Sequence, residues 1–391
     1  MIKFNIKYIL LLIITFTFAY LQGGNLPYSI FYCVLCVFLL GLFQIIAATR
    51  FISIDTRFEK VVFVVGEKAN FTMIVKNSSF FPYPFIYVQN NVLTSFERDY
   101  NGDLIDISID QEVWVNKKIV FDSRGIYDFG AIKLRVKDMF YLFDSNLVFQ
   151  SKDEIKVYPI LYDIHILTSK KNSSFQKLIE NKNGLENPVS TRDLRNYRDG
   201  DSLKRIHWKA SAKHSELFVR NFDVVSGQES LIILDMSKAN VSYDKGGMNE
   251  EKMIDFFVSL INSLYRRGIK VSILVNAHIK KAFTVENKND FNSLIEYIIR
   301  HKSDSEDNLS SFITSNVNRV GRQKWIGIIS MSLDDELSKE LLHMCESGYD
   351  FSFFCNPLLI EKKWNLELMK KGGIECFDYE DLIQNATVIN Q

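Results

Sequence analysis

Two stretches near the N-terminus, YILLLIITFTFAYL (Tyr8–Leu21) and YSIFYCVLCVFLLGLFQIIAA (Tyr28–Ala48), decide how this chain is placed. No charged residue occurs from Tyr8 to Thr49. The polar cluster Gln22-Gly23-Gly24-Asn25, followed by Pro27, divides the two as a turn would. A helix that crosses a bilayer needs about 20 apolar residues, within about 17–25. The second stretch meets that length alone. The first is short, and spans if Lys3 and Lys7 snorkel to the interface. A buried hairpin in a soluble core is the alternative, and two adjacent uncharged runs of this kind are rare there. Lys3 and Lys7 precede the first stretch, Arg50, Arg57 and Lys60 follow the second, and no Lys or Arg lies between. The positive-inside rule then puts both ends in the cytoplasm. A cleaved signal peptide is the competing use of the first stretch, although no A-x-A-like site follows it. With either fate, the chain after Arg50 faces the cytoplasm. The expected location is the plasma membrane, multi-pass, with the soluble domains inside.

The 391 residues are too many for one small domain and suggest two or three. Lys and Arg (47) balance Asp and Glu (47), so nothing in the net charge draws the whole chain to nucleic acid or to an acidic surface. A hydrophobic share of 47 % with 24 % charged residues excludes wholesale disorder. The cysteines are too scattered for a disulfide framework. Cys33 and Cys36 have C-x-x-C spacing inside an apolar run, where a core or lipid-facing pair is the better reading than a redox motif. Cys345, Cys355 and Cys376 have no paired spacing, which points to a reducing compartment.

Beyond the anchor the pattern changes twice. Residues 51–160 carry short β-like runs: Phe71, Met73 and Val75 alternate with Asn70, Thr72, Ile74 and Lys76, and further runs are Phe85–Val88, Val113–Phe121, Ile126–Val136 and Ile155–Tyr158. Frequent turns and no helical period predict a β-sandwich. Residues 161–189 are polar and read as a linker, with one short helix near Phe175–Ile179. From Leu231 strands and helices alternate. Leu231–Leu234, Ile269–Val275, Trp325–Ile329 and Phe351–Phe354 are apolar strands. Met253, Ile254, Phe257, Leu260, Ile261 and Leu264 recur at helical spacing, as do Phe291, Leu294, Ile295, Ile298 and Ile299. Leu309–Val317 is a further helix candidate, and Leu337, Leu341, Leu342 and Cys345 another, with Ser332 and Asp335 as its N-cap pair. Such alternation predicts a mostly parallel sheet covered on both faces. The expected architecture is therefore membrane-anchored and multidomain: two transmembrane helices over 1–50, a β-sandwich over 51–160, a linker and basic segment over 161–230, and an α/β domain over 231–391.

The segment STRDLRNYRDGDSLKRIHWKASAKHSELFVR (190–220) holds eight basic and four acidic residues interleaved with Tyr197, His207 and Trp208. Binding of single-stranded nucleic acid by phosphate contact and stacking is opposed by the acids and by the membrane anchor. A folded loop with internal Arg–Asp pairs, turning at Asp199-Gly200-Asp201, is a second possibility. A docking surface for a protein, with Arg, Tyr and Trp as anchors, is a third. The string Arg195-x-Tyr197-x-x-Gly200-Asp201-x-x-x-Arg205-x-x-Trp208-x-x-Ser211-Ala212-Lys213, followed by Leu217-x-Val219-Arg220, closely resembles the signature of the "domain of unknown function 58" family. Lys213 stands where that family more often has Arg. Upstream, Arg124-Gly125-x-Tyr127-x-x-Gly130 leading to Asp138-Met139-Phe140-Tyr141-Leu142-Phe143 resembles the family's R-G-x-Y and D-P-F-G-L-F segments, with Met139 and Tyr141 as departures. The resemblance implies a C-terminal domain similar to von Willebrand factor type A. It also implies association with AAA+ ATPases of the MoxR type.

A von Willebrand type A domain binds a divalent cation through D-x-S-x-S after its first strand, and hard oxygen ligands of that kind suit Mg²⁺. Here the string is Asp235-Met236-Ser237-Lys238-Ala239: Asp235 and Ser237 are metal candidates, Ala239 cannot coordinate, and Lys238 brings positive charge. Ser332 or Asp334 would have to complete the set. Otherwise Asp235 and Ser237 cap the following turn. The chain has no P-loop, H-E-x-x-H, G-x-S-x-G or zinc-type cysteine pairing. Its six histidines are scattered, and His207 has no local Cys or Ser nucleophile with a signature. The expected function is a membrane-anchored interaction or scaffold protein with no catalysis and no cofactor of its own. Its expected partners are the bilayer and proteins, a MoxR-type ATPase among them, docking on Arg195, Tyr197, Gly200, Asp201, Arg205 and Trp208, with no nucleic acid. Mg²⁺-dependent ligand binding, or a hydrolase with an unfamiliar site, are the alternatives.

Overall fold

The computed structural model describes all residues except 1, 97–99, 151–153, 165–185, 197–206, 208–210, 212–216, 225–228, 239–243, 245, 318–324 and 390–391. The chain divides into two compact units, Met1–Tyr158 and Pro159–Gln391. The short helix expected near Phe175–Ile179 and the turn at Asp199-Gly200-Asp201 lie outside the described residues.

The first unit begins with strand β1 (Ile2–Phe4) and two apolar helices, α1 (Ile6–Gln22) and α2 (Asn25–Phe51). Asn5 caps α1 by accepting the Lys7 N–H at 3.2 Å. Gly23 ends α1 with φ 63° and Gly24 opens α2 with φ 88°, left-handed values that favour glycine. Pro27 falls in the first turn of α2, where no intrahelical N–H is needed. Thr15 and Thr17 return their hydroxyls to the Leu11 and Ile13 carbonyls, so each hydroxyl proton is satisfied within the helix. By length and composition α2 is long and apolar enough to cross a membrane, with mean hydropathy 2.6 over 18 residues; α1, at 17 residues, is apolar but shorter.

The rest of this unit is β-rich. Its strands are β2 (Ile52–Phe58), β3 (Val62–Val64), β4 (Lys68–Asn77), β5 (Tyr83–Asn90), β6 (Asp103–Ile107), β7 (Glu112–Val120), β8 (Gly125–Asp128), β9 (Ala131–Lys137), β10 (Phe143–Gln150) and β11 (Glu154–Tyr158), with one turn of helix, α3 (Leu93–Phe96). They form a five-stranded sheet in the order β1-β10-β9-β5-β6 and two three-stranded sheets, β3-β11-β8 and β2-β4-β7. Pairing is antiparallel except between β3 and β11. The expected sandwich is thus met at the level of a β-rich domain with mixed pairing. The run Ile126–Val136 is two strands, because Gly130 turns the chain at φ 49°. Period-2 burial is clean in β9, where Ile132, Leu134 and Val136 are buried and Lys133 and Arg135 are exposed. Phenylalanine fills the core: Phe58, Phe71, Phe96 and Phe129 stack or tilt against one another at 4.7–6.2 Å.

The second unit holds β12 (Tyr162–Asp163), β13 (Glu186–Asn196), β14 (Phe218–Val224), β15 (Glu229–Asp235), α4 (Met248–Arg266), β16 (Lys270–Asn276), β17 (Lys281–Val285), α5 (Lys288–Arg300), α6 (Leu309–Val317), β18 (Trp325–Ile329), α7 (Asp335–Glu346), β19 (Asp350–Cys355), α8 (Lys363–Lys371), β20 (Glu375–Asp378), α9 (Tyr379–Gln384) and β21 (Thr387–Val388). The main sheet is mixed, ordered β17-β16-β15-β18-β19-β20, parallel throughout except for β17 at the edge. Helices cover both faces. Phe353 packs in the cluster containing Ile313, Leu341 and Met369, whereas Phe354 meets Phe256 of α4 at 5.1 Å. Strand β12 and the start of β13 fall where polar composition suggested linker, and the rest of β13 and the start of β14 fall in the basic segment, for which no strand was expected. ENPVSTRDLRN lacks an apolar alternation, so its pairing with β14 was not legible. The cap of α7 is Asp334, accepting Leu337 N–H at 2.6 Å, not Ser332 with Asp335; Asp335 is already helical, and its carboxylate meets Lys362 and Asn365.

Candidate functional site

The chain runs from β15 to β16 on one side and reaches β18 on the other, so a topological switch point lies at the carboxyl end of β15, where open α/β sheets place their ligand crevices. Asp235 ends β15 and is fully buried. One carboxylate oxygen accepts the Ser237 N–H at 3.1 Å and the Asn276 amide at 3.3 Å; the other accepts the Ser330 hydroxyl at 2.7 Å. Ser305 donates to Asn276 Oδ1 at 3.2 Å, and Ser237 bridges Ser305 through the backbone. Ser332 Oγ lies 3.4 Å from Ser330 Oγ. Asp235 and Ser237, the candidate metal ligands, are therefore together, with the hydroxyls of Ser330 and Ser332 beside them. Asp334 serves the α7 cap, and Lys238 pairs with Glu306 at 2.7 Å. Ala239 lies outside the described residues. One carboxylate, hydrogen-bonded on both oxygens, is a poor cage for Mg²⁺, and among the described residues no group of three His, Cys, Asp or Glu side chains converges. Of the missed partners, Asn276 ends β16 and Ser330 follows β18, positions that the strand pattern locates but cannot assign, whereas Ser305 lies in the connection between α5 and α6.

Of the basic segment, Arg195 lies on β13, its backbone in register with Val219 of β14. Tyr197, Gly200, Asp201, Arg205 and Trp208 lie outside the described residues. The approach to β14 is anchored: Phe218 N–H donates to Ser211 Oγ at 2.9 Å and His207 N–H to the Phe218 carbonyl at 2.8 Å. Ser211, part of the signature, thus ties the segment to the start of β14. The thiols of the second unit offer no activated nucleophile: burial pushes Cys376 up to about 11 and Cys345 and Cys355 up as well.

A second polar focus lies at the base of the helical hairpin. Gln44 of α2 is 3 % exposed; its amide donates to the Pro82 carbonyl at 2.7 Å and its oxygen accepts Met139 N–H at 3.2 Å. The Tyr83 hydroxyl donates to the Gln44 carbonyl at 2.9 Å. One turn earlier, a Cβ on Gly41 would stand 3.0 Å from Asp138 Oδ2 and 3.3 Å from Leu142 and Phe143, so any larger residue would press on these side chains where α2 approaches this loop. Asp138, fully buried, accepts the N–H groups of Phe140 (2.9 Å) and Phe143 (2.6 Å).

Residues 193–350 match the family model described as "Protein of unknown function DUF58". The match runs from β13 through α7 and covers the basic segment and the central strands of the sheet. "Uncharacterized protein YeaD" of Bacillus subtilis (strain 168) is similar at 18 % identity over 351 residues, 88 % of this chain and 85 % of that protein. Among solved structures, proximal thread matrix protein 1 from the mussel byssus matches 40 % of this chain and 45 % of its own at 15 % identity, with a TM-score of 0.30. BatB from Bacteroides thetaiotaomicron matches 40 % of this chain and 96 % of its own at 14 % identity, with a TM-score of 0.27. Upstream of the matched residues, the two departures from the segment that the sequence resembles have a physical sense. Tyr141, where the pattern has glycine, adopts φ 57°, the left-handed region glycine favours. Met139, where the pattern has proline, donates the N–H that Gln44 accepts, which proline lacks.

Proposed function

We propose that this chain is a membrane-anchored interaction protein without catalysis of its own, whose cytoplasmic units hold protein partners close to the bilayer. The observation that carries the reading is at the hairpin's two ends. β1 precedes α1 and pairs antiparallel with β10, while α2 continues into β2, which pairs with β4. Both ends of the apolar hairpin are thereby fixed to one β-rich unit, so a hairpin that crosses the bilayer must return, giving the multi-pass topology that the Lys and Arg distribution favours. Confinement to a surface raises the effective concentration of whatever docks there. A von Willebrand type A-like second unit and a MoxR-type AAA+ ATPase as the partner are what the resemblance of the signature segment to the DUF58 family suggests. Arg195, Tyr197, Gly200, Asp201, Arg205 and Trp208 are the proposed docking residues. Co-purification from native membranes tests this: wild type retains a specific ATPase, and Arg205→Ala/Trp208→Ala loses it with an unchanged melting temperature. Loss of the fold in that double variant instead assigns the segment a structural role.

A second reading is cation-dependent ligand binding at Asp235 and Ser237, favoured by the convergence of Ser330 and Ser332 on the switch point. A Mg²⁺-dependent rise in melting temperature, abolished in Asp235→Asn, supports it; equal curves with Mg²⁺ and with chelator end it.

A further inference from the structure

Resting on the membrane reading above, we propose that the β-rich unit itself sinks into the bilayer: the β4–β5 loop (residues 78–82) and the β9–β10 loop (residues 138–142) form an apolar collar at the boundary of headgroups and acyl chains, on the side from which the hairpin enters.

Helix length sets the depth. At 1.5 Å per residue, α1 from Tyr8 to Gln22 rises only about 22 Å, against a hydrocarbon core of about 30 Å. Counted from Asn25, α2 reaches about 30 Å near Gln44. Gln44 is where both loops are held, one through the Pro82 carbonyl and the other through Met139 N–H. The loops thus stand at the height where α1 has run out of apolar surface.

The side chains that the loops expose suit that depth. Phe80 is 87 % exposed, Met139, Phe140 and Tyr141 are exposed, and so is Phe43 of α2, at 68 %. Phe43 reaches Phe81 with ring centroids 6.5 Å apart, so the collar continues the outer surface of the helix. Surface loops are ordinarily polar, and this much adjacent apolar area in water is unfavourable by about 25 cal/mol per Å².

Backbone that enters hydrocarbon must have its polar groups satisfied internally, and both loops bond theirs extensively. Ser79 N–H donates to Asn77 Oδ1 and Phe81 N–H to Ser79 Oγ, while the Phe81 carbonyl accepts the Asn77 amide. Pro82 has no N–H, and Gln44 covers its carbonyl. In the other loop Asp138 accepts Phe140 and Phe143, its carbonyl accepts Tyr141 N–H, and the Leu142 carbonyl accepts Asn5 N–H. Charges sit where headgroups would be: Lys3 and Lys7 are exposed beside the collar, and Lys137 lies over the Tyr141 ring at 5.1 Å. Asp144 is paired with Arg135. The acids Asp110 and Glu112 lie near Asn77, at the foot of the first loop and not at its apex.

The test uses the full chain in phosphatidylcholine vesicles, with tryptophan introduced singly and read as a difference from wild type. Lipids brominated near the headgroup end of the acyl chain are the quencher. Phe80→Trp and Met139→Trp are expected to lose at least half of their added emission to this shallow quencher, and Leu104→Trp, on the exposed part of β6, to lose none. Phe31→Trp in α2 reports hairpin insertion through deep bromination. Quenching of Phe31→Trp with none at Phe80 or Met139 overturns the collar and leaves the anchor standing; no quenching at Phe31 overturns the membrane reading itself.

Discussion

Gln44 and Asp235 are both buried polar side chains with several partners, yet they belong to different kinds of construction. Gln44 sits in an apolar helix and spends its amide on two loop backbones, so its bonds position elements relative to one another. Asp235 sits at a strand end and gathers a backbone N–H, an amide and a hydroxyl, so its bonds fill the crevice where an open sheet would receive a ligand. The difference teaches that a buried network is informative through its surroundings: an amide wedged between elements in one place, a carboxyl at a switch point in the other. A charge without partners in such a site is far costlier than an unpaired amide.

That contrast can be broken by substitution. Asp235→Ala removes an acceptor from three donors and is expected to destabilise the second unit by about 3 kcal/mol in denaturant titration, whereas Asp235→Asn costs about 1 kcal/mol. Equal effects would mean that the charge is incidental. Gly41→Leu drives a side chain into Asp138 and Leu142 and is expected to cost about 2–3 kcal/mol in detergent, seen as a lower melting temperature of the first unit alone. Gln44→Leu strands the Pro82 carbonyl and Met139 N–H and should cost about 2 kcal/mol, read as faster proteolysis at residues 78–82 and 138–142. Asp334→Ala removes the α7 cap at about 1 kcal/mol, with no effect on the first unit. The smallest effect is electrostatic. Lys362 beside Asp335 holds that carboxyl below its usual value of 3.8. The pair's contribution is present above about pH 4 and lost as pH falls through the depressed value. Lys362→Met should therefore narrow the difference from wild type only at the acid end of a melting-temperature profile, and slightly, because the pair is exposed.

Much of the chain was legible because its signals are local. The uncharged runs around the Gln22–Asn25 cluster gave both apolar helices, and the strand Trp325–Ile329 was bounded to the residue because all five of its residues are buried and none is polar. The failures share a cause. β13 is polar and pairs with a strand more than twenty residues away, so nothing within its own sequence marks it. The cap of α7 was misplaced from Ser332 to Asp334 because Ser332, Asp334 and Asp335 are all capping letters, and only the backbone angles and the reach of Lys362 to Asp335 distinguish them. Asp235 and Ser237 could be named as a pair, but Asn276, Ser305 and Ser330 join them only through the strand order.

By itself the sequence determined where charge is absent, and with it which residues seek an apolar surround, because burial preference is a property of each side chain and its neighbours in the chain. It also settled the alternation of strands and helices after Leu231. Only the tertiary structure decided that Tyr141 takes a left-handed turn, that Gly41 faces Asp138, Leu142 and Phe143 at close range, and that Gln44 joins two loops distant in sequence. Those features depend on which backbones come within hydrogen-bonding distance, and that proximity is set by packing, not by any local pattern.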